Sequence, residues 1–204
     1  MEVKGMWNSA AKWGFILGVV MSCSRIFEQS VMLSGEVSKF AVLALEWIFV
    51  AVLMGAIITK AIKERAAALG EGVVMRLNQG VNFAILVSIF ASILSAGAYY
   101  VYVTSQVGGF EVYAHQLVES LTKVISEVEI SSDIRSIYLD YFRQIESAEF
   151  SQITMFNIVI NTMSNYIIVG AVYGLAISFF VVRKFKRVAS SNNNSNANTL
   201  NNNE

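Results

Sequence analysis

Residues 77–110 read LNQGVNFAILVSIFASILSAGAYYVYVTSQVGGF, 34 residues without one Asp, Glu, Lys or Arg. A second uncharged stretch, FSQITMFNIVINTMSNYIIVGAVYGLAISFFVV, fills the 33 residues 150–182. A bilayer core of roughly 30 Å is crossed by about 20 apolar helical residues, so each stretch holds one complete span. Backbone N–H and C=O groups find no water there, so the spans must be helices. Working outward, 40–59 is apolar apart from Glu46. The stretch 13–33 is apolar up to Cys23 and then carries Arg25 and Glu28. The expected fold is an all-α membrane protein with four transmembrane helices, at about 13–33, 40–60, 80–104 and 155–182, in one membrane domain over 1–189.

Composition agrees. Hydrophobic residues make up 55% of the chain and charged residues only 15%, against about 25% charged in soluble domains. A chain of 204 residues accommodates one such domain and no additional enzyme domain. Proline is absent, so any break in a span must rely on glycine or serine. Cys23 is the one cysteine, which excludes an intramolecular disulfide.

Lys and Arg near the span ends set orientation. Lys4 and Lys12 precede the first span, Lys60, Lys63, Arg65 and Arg76 lie between the second and third, and Arg183, Lys184, Lys186 and Arg187 follow the fourth. These ten of the 15 basic residues fall on one side, which predicts an inner-membrane protein with both termini cytoplasmic. Tyr99, Tyr100 and Tyr102 would then form an aromatic belt at the outer end of span three.

The extracytoplasmic loop, about 106–150, has eight acidic residues, three basic ones and His115. Phe110, Tyr113, Leu117, Leu121, Val124 and Val128 recur at steps of three and four, which predicts an amphipathic helix. Ser131, Ser132 and Asp133 are candidate N-caps for a second helix, with apolar face Ile134, Ile137, Tyr138, Tyr141, Phe142 and Ile145. These faces either pack on one another and the rim of the membrane domain or receive a partner. Its acidity argues against the loop lying on anionic lipid. From Ser190 the chain is almost entirely Asn and Ser, which predicts a disordered tail over 190–204.

Intramembrane charge is a functional hypothesis by default. With a hairpin turn at Gly35-Glu36, Arg25 and Glu46 lie about ten residues either side and so at equal depth. They could pair, Glu28 could replace Glu46 one turn from Arg25, or Arg25 could snorkel to the interface. Asn157, Asn161 and Asn165 share one face of span four, and Ser88, Ser92 and Ser95 sit on span three. Such groups serve either as interhelical hydrogen bonds or as the lining of an outward-open polar cavity. Gly14, Gly18 and Ser22, like Gly170, Gly174 and Ser178, repeat every four residues and mark close-packing faces, either within the chain or between copies. Val20-Met21-Ser22-Cys23 loosely resembles a lipoprotein cleavage box, which would make Cys23 a lipidation site and leave three spans.

No HExxH, CxxC, GxSxG or P-loop pattern occurs. His115 and Cys23 lie on different segments, so neither a metal site nor a cofactor is expected, nor an enzyme. The basic cluster 183–187 follows a span directly and reads as a headgroup anchor, not a nucleic-acid site.

The opening AAKWGFILG (10–18) and the link ALGEGVVMRLNQGVNFAIL (68–86), with the long helical loop and basic final flank, carry a resemblance. The chain resembles an uncharacterised family of small four-helix bacterial inner-membrane proteins, frequent in the Bacteroidetes and known only as a domain of unknown function. The resemblance implies no activity, cofactor or catalytic residue. Gly70, Gly72 and Gly80 would allow a tight turn into span three. Two functions remain: a non-enzymatic accessory or assembly subunit of an envelope complex, or a small homo-oligomeric transporter or channel component. Besides the lipid bilayer, the expected partner is accordingly an envelope protein or a second copy.

Overall fold

The computed structural model describes the backbone at residues 3–69, 75–146 and 153–201, and side chains as far as Val181. Gly70 and Gly72, and the side chains of the basic cluster 183–187, lie outside the described residues. The described chain is all-α: α1 (Val3–Met32), α2 (Lys39–Ala67), α3 (Leu77–Val101), α4 (Phe110–Glu127), α5 (Ser132–Glu146) and α6 (Met155–Asn201). A π-helical turn, Tyr102–Val107, ends α3. Four helices are long and apolar enough to cross a membrane: Gly5–Met32, Lys39–Ala67, Leu77–Val107 and Met155–Val181. The protein is a multi-pass membrane protein.

Local chemistry sets the boundaries. Gly35 takes φ +69° in the turn between α1 and α2, a conformation that favours glycine. Gly108 and Gly109 take φ +102° and +119°, and Gly109 N–H donates back to Val103 O at 2.9 Å, closing the end of span three. Ser131 caps α5: its carbonyl accepts from Arg135 N–H at 3.0 Å and its hydroxyl faces Ile134 N–H at 3.5 Å. Thr154 Oγ1 accepts from Asn157 N–H at 3.2 Å at the start of α6. Beyond Val181 the α6 backbone stays helical to Asn201, through the segment whose composition predicts disorder. Extending a helix already nucleated by a membrane span avoids the cost of a new nucleus.

The chain divides into two compact units, each drawing on all four spans. One contains 1–17, 53–91 and 164–204; the other contains 18–52 and 92–163. In the first, Ala10, Trp13, Leu17, Ile58, Ala61, Ile62, Phe83, Ala84 and Val87 are buried. Small residues let its helices approach. A Cβ on Gly14 would stand 2.4 Å from Phe90 Cβ on α3, and one on Gly170 would stand 2.8 Å from Ser88 Cβ. Gly80 lies equally tight against Ser178, and Gly174 against Ala84. These glycine faces therefore pack within the chain. An ion pair of 2.8 Å between Lys12 and Glu64 joins α1 to α2 at an exposed position. The outward side chains of α2, among them Leu45, Ile48, Phe49 and Val52, are exposed, as a lipid-facing surface requires.

Candidate functional site

The second unit holds the polar cluster. Arg25, Glu28 and Gln29 follow one another along a single turn and a half of α1. Glu46 takes a hydrogen bond from Ser24 Oγ, and its other carboxylate oxygen is buried without a partner. Glu28 lies near Trp47 on α2 and within the fields of both Arg25 and Glu46. Arg25, however, lays its guanidinium over the Tyr99 ring, 5.0 Å from its centroid. Among the described residues no ion pair joins Arg25 to Glu46. An arginine stacked on a tyrosine is desolvated on one face, an arrangement that guanidinium tolerates better than ammonium.

Aromatic residues wall the cluster. Tyr99 packs edge-on against Phe110 and Tyr113, at centroid separations of 6.1 and 6.3 Å. Tyr113, on α4, donates to Gln29 Oε1, and Tyr102 OH pairs with Ser30 Oγ at 3.0 Å. Burial pushes the Tyr113 hydroxyl well above its ordinary value, with the neighbouring Tyr99 adding to the rise. Tyr99 and Tyr102, read from sequence as an interfacial belt, thus close over Arg25 and Ser30. Gln29 and Ser24 carried no separate signal beyond their place one helical turn or less from Arg25.

A second polar knot lies at the same end. Lys39, the first residue of α2, is 1% exposed. Its ammonium donates to Met32 O at 3.0 Å and Ser120 Oγ at 2.6 Å. Ser120 Oγ donates to Met32 O at 2.7 Å and accepts from Gly35 N–H at 3.0 Å. One serine of α4 therefore satisfies the α1–α2 turn, and the loop is fastened by hydrogen bonds as well as by apolar contact. The buried side of α4 is Ala114, Val118, Ser120 and Val124, rotated from the predicted stripe because Ala114 and Ser120 permit closer approach.

The remaining candidates fall elsewhere. Asn157, Asn161 and Asn165 are exposed, while α6 buries Thr162, Tyr166 and Gly170. Their exposure places them on the outward side of α6, away from the side of Thr162, Tyr166 and Gly170. Gly18 and Ser22 are buried, with Ser22 Oγ donating to Gly18 O at 2.7 Å. His115 and Cys23 are exposed, and no group of three metal-ligating side chains occurs among the described residues. On the loop, α5 turns Ile134, Ile137, Tyr138 and Tyr141 outward, with exposures of 48–67%, and buries Phe142. Between α4, α5 and Phe40 lies a groove of about 400 Å³ with walls from Leu121, Val124, Tyr138 and Phe142.

A protein-family model described as "Protein of unknown function (DUF4199)" matches residues 12–183. No curated protein and no solved structure matches the chain.

Proposed function

The chain belongs to that family of unknown function, and on this premise we propose that it is a non-enzymatic accessory or assembly subunit of an envelope complex. It resides in the bacterial inner membrane with both termini cytoplasmic, so that α4 and α5 face the envelope. The observation that carries this reading is the outward apolar face of α5, with Ile137 at 67% and Tyr141 at 58% exposure. Apolar residues at helical spacing on an exposed helix suit a protein partner that offers an apolar stripe of its own. The hydrogen bonds among Lys39, Ser120 and Met32 fasten α4 to the α1–α2 turn, which supports a fixed presentation of the loop.

The test is affinity capture from native membranes in mild detergent, with wild type and the Ile137→Asp, Tyr141→Asp double variant. A stoichiometric second protein retained by wild type and lost from a normally folded variant is expected. A chain that is always recovered alone sinks the reading.

The transporter reading keeps one supporting observation, the gathering of Arg25, Glu28 and Glu46. It expects that Arg25→Gln with Glu46→Gln alters flux in reconstituted vesicles while the fold persists.

A further inference from the structure

We infer that two copies of this chain associate in the membrane through the exposed asparagine face of α6, with Asn161 meeting Asn161 and Asn165 meeting Asn165. The inference is independent of the loop-docking role proposed above.

Asn161 and Asn165 are four residues apart on one helix and so share a face. Both are exposed, and neither has a hydrogen-bond partner among the described residues. The span that carries them, Met155–Val181, has 27 residues, a length of about 40 Å at 1.5 Å per residue. Asn165 therefore lies about 15 Å from the Met155 end and Asn161 about 9 Å from it. Centred on a hydrocarbon core of roughly 30 Å, this span holds both amides within the apolar layer, where lipid offers neither donor nor acceptor. The face continues in Ile168 and Val172, exposed at 65% and 61%. A polar pair thus sits at one end of an otherwise apolar stripe.

The occupant follows from topology and chemistry. The basic bias gives every copy one orientation in the membrane, so two copies related by a two-fold axis along the bilayer normal present identical residues at identical depth. A side chain that faces its own copy must complement itself. A carboxylate or an ammonium repels itself, whereas a carboxamide donates through its NH₂ and accepts through its oxygen. Asn therefore satisfies its own copy across such an axis, and asparagine pairs of this kind are known to set helix association. The glycine face of α6 is already used within the chain against Ser88 and Ala84, which leaves the asparagine face as the polar side available to a second copy.

The test uses the full chain with its single cysteine moved: Cys23→Ser combined with Asn161→Cys, Asn165→Cys, Ile168→Cys or, on the buried side, Thr162→Cys. Oxidation in native membranes should give disulfide dimers of twice the chain mass at 161, 165 and 168, and only background for 162. The otherwise wild-type chain, diluted in lipid bilayers and followed by energy transfer between labels, should self-associate. The Asn161→Leu, Asn165→Leu variant should associate about tenfold more weakly or worse. Leucine suits a lipid-facing site, so loss of folding is not expected to intervene, and the crosslinks give a second readout on chains that keep one or both asparagines. Crosslinks no stronger at 165 than at 162, adducts only to another protein, or undiminished association of the leucine variant would each overturn the inference.

Discussion

The same substitution at two glycines of α1 should have opposite effects. At Gly14 an added Cβ would lie 2.4 Å from Phe90 Cβ and 2.8 Å from the Val87 carbonyl oxygen. Carbon atoms rest at about 3.5–4.0 Å, so α1 and α3 would have to separate by about 1 Å. Neither contacted atom can rotate away, since one is a Cβ and the other backbone. Overpacking of this kind costs about 1–3 kcal/mol. Against it stands the helix-propensity gain of Ala over Gly, about 1 kcal/mol. Gly14→Ala should therefore destabilise by up to about 2 kcal/mol. At Gly5 a Cβ meets nothing within 4 Å; Gly5→Ala keeps only the propensity term and should be neutral or stabilising by up to about 1 kcal/mol. Reversible unfolding in mixed micelles, with rising denaturing detergent followed by Trp fluorescence, measures both. If Gly14→Ala is as stable as Gly5→Ala, the close approach of α1 to α3 is refuted.

Three further outcomes follow from the loop-side chemistry. Ser120→Ala removes the acceptor for Gly35 N–H and a partner of the Lys39 ammonium, so it should cost about 1–3 kcal/mol and raise hydrogen exchange in α4 selectively. In double-mutant cycles Arg25→Gln should couple to Tyr99→Leu by about 0.5–2 kcal/mol and more weakly to Glu46→Gln, because the guanidinium stacks on the ring. Tyr113 is held neutral by burial; its raised value means the folded chain keeps a proton that the unfolded chain loses near pH 10. Stability from this group is thus complete below about pH 10 and falls as pH rises beyond it. Ultraviolet titration should show late phenolate ionisation that is smaller by one group in Tyr113→Phe.

The spans and their hairpin turn were legible because a bilayer demands a length, and lengths without charge can be counted. Gly35 turns where the equal-depth argument for Arg25 and Glu46 places it, and Ser131 caps α5. What could not be read was rotation. In water an apolar stripe points inward, but lipid is as apolar as the core, so Leu45 and Phe49 stand outside as readily as Leu43 inside. Asn157, Asn161 and Asn165 announced a face without saying which way it looks, and they look out. Nor does composition reveal that Lys39 is nearly inaccessible, with a carbonyl seven residues earlier and a serine on α4 as its partners.

Small residues are the better compass inside a membrane. Lipid has no use for a missing side chain, whereas a neighbouring helix does, so Gly14, Gly170 and Gly174 face inward, as Ser88 and Ser178 do at 0% exposure. By the same reasoning a polar side chain that faces outward has no use in lipid either. The glycines of α6 explain how the chain packs on itself, and Asn161 and Asn165 are left asking for something the chain does not contain. One helix thus carries two signals of opposite address, and the outward one bears on function because it concerns what the protein meets after it has folded.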